Sequence, residues 1–430
     1  MVSLHSLSPS SLATDFSNPI PTAAYIHIPF CRRRCYYCDF PISVVGDRPP
    51  LASQTGTKDG FGTIAEYLEI LCQEIRSTAA FGPPLQTVFL GGGTPSLLTV
   101  AQLEQVLNAL RQQFGIVANA EISMEIDPDT FDQTRLQGYR AAGVNRVSLG
   151  VQAFQSELLA ACGRTHTRAD VEAAVELIHR VGLTNFSLDL ISGLPQQTID
   201  HWQQSLEAAI ALTPSHISVY DLTVEPGTAF ARWYQPGVQP LPTEEMTAQM
   251  YRLAQQTLTT AGYQHYEVSN YAKPGYQCRH NRVYWENRPY YGFGMGAASY
   301  TQGQRFTRPR KRREYYEWVQ EFAATGEIRC PVTPPEETLL DTLMLGLRLA
   351  DGLSLTTLAQ QFGKQTLERI LATVKPHLAN GWVEFLDQTG EPIAPSLREI
   401  TEADVRMRLS DPDGFLCSNV VLADLFKELT

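Results

Sequence analysis

The sequence predicts an α/β chain, an open partial (β/α)6 barrel of the TIM type followed by a small C-terminal α+β domain of winged-helix-like texture. Three observations lead there. From Ala24 onward, short β-branched runs alternate with longer segments of helical period, the pattern of a parallel sheet. Six such units follow one another, too many for a lone mononucleotide-binding half and too few for a closed eight-stranded barrel. After about residue 270 the texture changes, first to an aromatic and arginine-rich stretch and then to two helical patterns.

Taken in order, residues 1–21 read as an N-terminal extension and 22–265 as the barrel. Its strands are expected at 25–28, 87–90, 122–126, 146–149, 186–190 and 216–220, and its helices near 63–79, 99–113, 130–142, 168–181, 198–211 and 243–261. The stretch 43–62 holds Gly46, Pro49, Pro50, Gly56, Gly60 and Gly62 with little apolar content, so it reads as a long loop, either a lid or an unstructured insertion. Residues 266–333 form a connecting segment with CRHNRVYWENRPYYGFGMGAASY and the basic run RFTRPRKRR. Residues 334–430 make the C-terminal domain, with helices in ETLLDTLMLGLRLADG and TLAQQFGKQTLERILATV and candidate strands in GWVEF and LREIT.

The formal charge of -11, from 34 basic and 45 acidic residues, argues against a surface that tracks nucleic acid. The chain has no run of about 18 apolar residues and its first residues lack a secretory pattern, so a cytoplasmic location is expected. Three of the eight cysteines crowd into 31–38, whereas Cys72, Cys162, Cys278, Cys330 and Cys417 are scattered. That usage fits a thiolate-bound metal in a reducing compartment better than a disulfide framework.

The sharpest motif is YIHIPFCRRRCYYC, a CxxxCxxC of Cys31, Cys35 and Cys38 directly after the first strand. Three thiolates on one tight loop can bind three irons of a [4Fe–4S] cubane and leave the fourth iron without a protein ligand. S-adenosylmethionine (SAM) can chelate that iron through its amino and carboxylate groups, so that one electron from the cluster breaks the sulfonium C–S bond and yields a 5′-deoxyadenosyl radical. A zinc site with His27 as fourth ligand is the alternative, although structural zinc sites usually draw on two separated ligand pairs. Tyr36, Tyr37 and Phe40 suit a partly buried cluster whose potential depends on excluding solvent.

A second motif, VFLGGGTPS, runs from a strand into a glycine turn at Gly91, Gly92 and Gly93. Glycines there let the backbone approach a ligand and present N–H groups to the amino acid part of SAM. The run is neither G-x-G-x-x-G nor a Walker loop, and it has no lysine for a phosphate. Further polar residues fall at strand ends, where barrel chemistry is expected: Glu125 in ISMEID, Gln152 after RVSLGV and Asp189 in FSLDL. Arg164, just beyond the fourth strand, is placed to meet a carboxylate. Each alone reads as a capping or turn residue; together they ring one pocket.

With these residues in view, the chain resembles the radical SAM superfamily, whose signature is CxxxCxxC with an aromatic before the last cysteine. The runs YIHIPFC, GGGTPS, SMEIDP, RVSLGVQAF, GRTH, DLISGLP and LTVEPGT are similar to the oxygen-independent coproporphyrinogen III oxidase family over about residues 22–230. GFGMGAASY, MLGLRLADG and LSDPDGFLCSN look like that family's appended domain. The resemblance implies a radical SAM barrel with its cluster on Cys31, Cys35 and Cys38. It also implies that Tyr25, Tyr37, Gly92, Gly93, Thr94, Glu125, Gln152, Arg164 and Asp189 contact SAM.

Two branches of that family differ here. The oxidases resemble CxxxCxxCxC and carry a longer N-terminal segment, whereas this chain has Phe40 in place of the extra cysteine. The HemW-type heme chaperone branch is similar in reading C..CDF and in its HNxxYW motif, here His280-Asn281-Arg282-Val283-Tyr284-Trp285. The resemblance implies a chaperone that binds heme and delivers it to apo-haemoproteins, with the respiratory chain as a destination and a flavodoxin or ferredoxin as electron donor. His280 is then a candidate heme ligand with Tyr284 and Trp285 over the macrocycle, against a hydrogen-bonded structural role. The cations of 305–313 could meet heme propionates, an acidic partner or anionic lipid at a membrane edge, against a plain solvated face. Oxidative decarboxylation of coproporphyrinogen III is the alternative activity, and a radical enzyme for an unrelated substrate is a third. Whether the chain is an enzyme stays open at this point.

Overall fold

The computed structural model describes residues 20–46, 63–393 and 405–430. Its centre is a parallel sheet of β1 (Ala23–Ile28), β4 (Leu85–Gly92), β5 (Ile116–Ile126), β6 (Arg146–Gln152), β7 (Phe186–Ser192) and β8 (His216–Asp221), paired in that order. Two short strands, β2 (Phe30–Cys31) and β3 (Ser43–Val44), pair in parallel behind β1. All six expected strands are present, and the sheet goes further than the sequence suggested. At one edge β11 (Tyr291–Phe293) adds in parallel to β1; at the other, β10 (Asn270–Ala272) adds antiparallel to β8 and β9 (Gln264–Glu267) antiparallel to β10. The expected loop at 43–62 begins with β3, and its part beyond residue 46 lies outside the described residues, as do the candidate strand at 397–401 and the extension up to residue 19.

Side-chain alternation explains how this sheet packs. Ala24, Ile26, Ile28, Val88, Leu90, Val147, Leu149, Leu188 and Leu190 are buried in one apolar core. That core also takes in the helices α1 (Ile64–Ser77), α2 (Val100–Phe114), α3 (Gln133–Ala142), α5 (Arg168–Val181), α6 (Ile199–Ala211) and α8 (Glu244–Thr260), while the short α4 (Ser156–Ala161) and α7 (Ala229–Trp233) share a smaller cluster through Leu158, Leu159 and Phe230. The remaining alternate positions face inward and are polar: Glu121, Ser123, Arg146, Ser187, His216 and Ser218 are all buried there. Helix starts are encoded locally, since Thr99, Thr167 and Thr198 each close a capping box on the residue three places on.

The connecting segment closes the barrel from below. Helix α9 (Arg279–Trp285), which carries the HNxxYW motif, brings His280 against Thr87 and Glu121 near the N-terminal ends of β4 and β5. Beyond it, α10 (Arg312–Thr325) packs on α1, Tyr315 Oη donating to Glu74 Oε2 at 2.6 Å, and the segment just before α10 adds a fully buried pair, Arg308 Nε to Glu74 Oε1 at 2.7 Å.

The C-terminal segment has its own core of Leu343, Leu347, Leu355, Ile370, Val374, Met407 and Leu425. Its four strands run in the order 353–354, 406–409, 383–386 and 392–393, with helices around them. His265 Nδ1 meets Asp411 Oδ1 at 2.7 Å and stacks on Tyr271 at 4.1 Å, which ties this segment to the sheet edge.

Candidate functional site

The cysteine loop is held by main-chain bonds. Cys38 N donates to Cys35 O at 3.2 Å, Tyr36 N to Cys162 O at 3.0 Å, and Val45 N to Cys31 O at 2.9 Å. Arg34 Nη1 donates to the carbonyls of Cys38 and Phe40 at 3.1 and 3.2 Å. The three thiols so placed line one cavity of roughly 430 Å3, at the C-terminal ends of the strands. Tyr37, Gly92, Gly93, Thr94, Glu125, Gln152, Arg164 and Asp189 line the same cavity.

The glycine turn lines the cavity, but its N–H groups are not directed at it as the sequence suggested. The N–H of Gly92 donates to Glu125 Oε2 at 2.9 Å, that of Gly93 to Ile28 O at 2.9 Å, and that of Thr94 to Phe30 O at 2.7 Å. Those donors are spent on the protein itself. Glycine is required because β1 passes so close: a Cβ on Gly92, whose φ is +112°, would lie 2.4 Å from the His27 ring, and one on Gly93 would lie 2.6 Å from Phe30 O. The turn therefore props the cysteine loop from below.

Arg164 links the walls of the cavity. Its Nη2 meets Asp127 Oδ1 at 2.5 Å and Gly150 O at 2.7 Å, and its Nη1 lies 3.8 Å from Cys35 Sγ. Burial, the largest single influence, works against its charge, but Asp127, Tyr37 and Cys35 together outweigh it and hold the guanidinium well above its ordinary value. Burial, with smaller contributions from Asp127 and the other two cysteines, pushes Cys31 up to about 12, against a hydrogen bond with Thr94. Across the cavity, burial pushes Glu125 up to about 8, against the opposing effect of the Gly92 N–H. Burial also raises Asp189, although Ser148 Oγ donates to both its oxygens at 2.9 Å. Gln152 takes a left-handed φ of 67° where the register between β6 and β7 shifts, which turns it to the rim.

Two expected residues lie elsewhere. Tyr25 sits inside the barrel, its hydroxyl 3.0 Å from His27 Nδ1. His280 is fully buried near the opposite strand ends, with Nδ1 2.8 Å from Thr87 Oγ1, Nε2 2.9 Å from Tyr284 Oη, and its ring stacked on Phe89 at 5.3 Å. Burial lowers it to about 3, so the ring is neutral. His27 is likewise engaged on both nitrogens, the second at 3.0 Å from Pro41 O, which removes it from a zinc ligand set. Sequence reasoning passed over Asp127, Ser148 and Tyr220, which also line the cavity. The strand-end rule that found Glu125 and Asp189 applies equally to Asp127 and Tyr220.

The donor set matches the chemistry of an iron–sulfur cluster: three soft thiols on one loop, a cation beside them, and an adjoining polar cavity. Residues 25–209 match the Radical SAM superfamily and residues 333–389 match the HemN C-terminal domain. The chain is 50% identical over 414 residues to a protein of Synechocystis named heme chaperone HemW, covering 95% of this chain and 97% of that one. It is 36% identical to the heme chaperone HemW of Bacillus subtilis, over 83% of this chain and 91% of the relative. Among solved structures, the coproporphyrinogen III oxidase HemN of Escherichia coli superposes with a TM-score of 0.74 at 24% identity, covering 95% of this chain and 90% of that one, which shows a shared fold.

Proposed function

The chain belongs to the HemW family within the radical SAM superfamily, and from that premise we propose that it is a heme chaperone, binding heme and passing it to apo-haemoproteins. The superfamily implies a [4Fe–4S] cluster and SAM. In this reading Cys31, Cys35 and Cys38 hold the cluster, and Tyr37, Thr94, Glu125, Gln152, Arg164 and Asp189 surround SAM in the cavity beside it. When bound, the pair supplies one-electron chemistry. Glu125 and Asp189 offer carboxyl oxygens to an ammonium or to ribose hydroxyls, and Arg164 holds a positive charge at the carboxylate end of the site. Tyr37 and the aromatic rings behind it exclude water from the thiols.

The observation that carries the chaperone reading over the oxidase is the likeness to a named heme chaperone along 95% of the chain. Phe40, where the oxidase branch has a further cysteine, points the same way. The reading is tested by hemin titration followed by transfer to an apo-haemoprotein. Saturable binding at one heme per chain and loss of heme to the acceptor support it; absence of binding sinks it.

A further inference from the structure

Asp189 is held from inside the barrel by a chain of hydrogen bonds that begins in the connecting segment. The main-chain N–H of Cys278, at the start of α9, donates to Tyr266 Oη at 3.4 Å, and Tyr266 Oη lies 2.9 Å from His216 Nε2. His216 Nδ1 lies 2.8 Å from Ser187 Oγ, which donates to Asp189 Oδ1 at 3.1 Å. Cys278, Tyr266, His216 and Ser187 are all buried, and Asp189 alone of the five lines the cavity. Sheet geometry puts them in line: Ser187 and His216 are register partners on β7 and β8, and Asp189 follows Ser187 by two places on the same face.

The fixed donor at the start of the chain decides which way its protons point. A backbone N–H only donates, so Tyr266 Oη accepts there, and among the described residues its own proton has His216 Nε2 as its one partner. Burial, and behind it the charge of Arg146, hold His216 well below its ordinary value, so the ring is neutral and carries one proton. With Nε2 accepting, that proton sits on Nδ1 and is donated to Ser187. Ser187 passes its own proton to Asp189 Oδ1, the nearer acceptor, since Ser218 Oγ is 3.4 Å away. Ser148 Oγ adds a donor 2.9 Å from each carboxyl oxygen. Oδ1 is thus bonded to two interior serines, while Oδ2 keeps acceptor capacity for a bound molecule.

We infer that His216 and Tyr266 are positioning residues for the SAM site: through Ser187 they fix the carboxyl group of Asp189, with Oδ1 tied to the barrel interior and Oδ2 left for the ligand. The inference rests on the reading of Asp189 as a SAM contact. Neither residue lines the cavity, so both act only through the chain. A carboxyl group held in advance loses less rotational freedom when the ligand arrives, which is where the gain in affinity arises.

The test uses the reconstituted full chain, titrated with SAM by calorimetry and labelled with 15N-histidine for NMR. Tyr266→Phe, which removes one hydroxyl, should weaken SAM binding about threefold, and His216→Leu, which removes the ring, about tenfold. His216→Asn, whose amide NH2 can take the place of Nδ1–H, should recover most of that loss. The resonances that disappear in His216→Asn should be those of a neutral ring protonated at Nδ1; a ring protonated at Nε2 overturns the inference. Parent affinity in both Tyr266→Phe and His216→Leu, beside a loss in Asp189→Asn, also overturns it and leaves Asp189 at SAM. Unaltered affinity in Asp189→Asn instead overturns the reading of Asp189, and the inference with it. Should His216→Leu not fold, Tyr266→Phe decides alone.

Discussion

The Nδ1 of His280 lies 2.8 Å from the hydroxyl of Thr87, and its Nε2 lies 2.9 Å from the hydroxyl of Tyr284. The imidazole at the head of the HNxxYW motif therefore spends both nitrogens on closing the base of the barrel. His280→Ala should cost about 2–4 kcal/mol through a cavity and an unpaired Tyr284 hydroxyl. The urea midpoint reads that loss. In this packed state no ring nitrogen is left for iron, so the heme spectrum of the folded variant should match that of the parent. A changed iron ligation would mean that α9 leaves its seat when heme binds.

The buried pair of Glu74 and Arg308 joins α1 to the segment before α10, and Glu74 Oε2 also accepts from Gly294 N at 2.9 Å and Tyr315 Oη at 2.6 Å. Removing one partner strands the other in an apolar interior. Arg308→Met should destabilise by about 3–5 kcal/mol. A shift within error in chemical denaturation would show that water reaches Glu74.

Asp127 holds Arg164 at 2.5 Å beside Cys35. Asp127→Ala should lower stability by about 2–3 kcal/mol, less than a fully buried pair because Asp127 keeps some solvent contact. It should also weaken SAM binding several-fold, measured by calorimetry on the reconstituted protein. Intact SAM affinity would remove Arg164 from that site.

Much of this was legible in the sequence. The strand order β1, β4, β5, β6, β7 and β8, the loop of Cys31, Cys35 and Cys38, and the strand-end ring of Glu125, Gln152 and Asp189 all follow from local periodicity and from where a barrel puts its loops. That the N–H groups of Gly92 and Gly93 are bonded within the protein was not legible, because a glycine that makes room for a neighbouring strand looks the same as one that approaches a ligand. His280 was hard to place for a similar reason: its partner Thr87 is 193 residues away, and no local pattern marks that contact. The basic run looked uniform, yet only the fold separates Arg308, bound to Glu74, from Arg310 at the surface.

Glu125 gives the empty protein a pH signature. Burial favours its neutral form, so between the ordinary value of 4.5 and about 8 the folded chain keeps a proton that the unfolded chain has released. This group's contribution is fully present below 4.5 and is lost as pH rises toward 8. Glu125→Gln, which keeps the shape without the charge, should flatten that fall. Urea midpoints at pH 5 and pH 8 show it; an unchanged difference between the two would place Glu125 in contact with water.

The central claim is tested most directly by anaerobic reconstitution with iron and sulfide, followed by parallel incubation with hemin and with coproporphyrinogen III plus SAM and a strong reductant. Cys31→Ala, Cys35→Ala and Cys38→Ala, each expected to lose the cluster's visible absorbance, serve as controls. The account predicts stable heme binding and no decarboxylated porphyrinogen. Vinyl product from coproporphyrinogen III would contradict it and assign the chain to the oxidase branch despite Phe40.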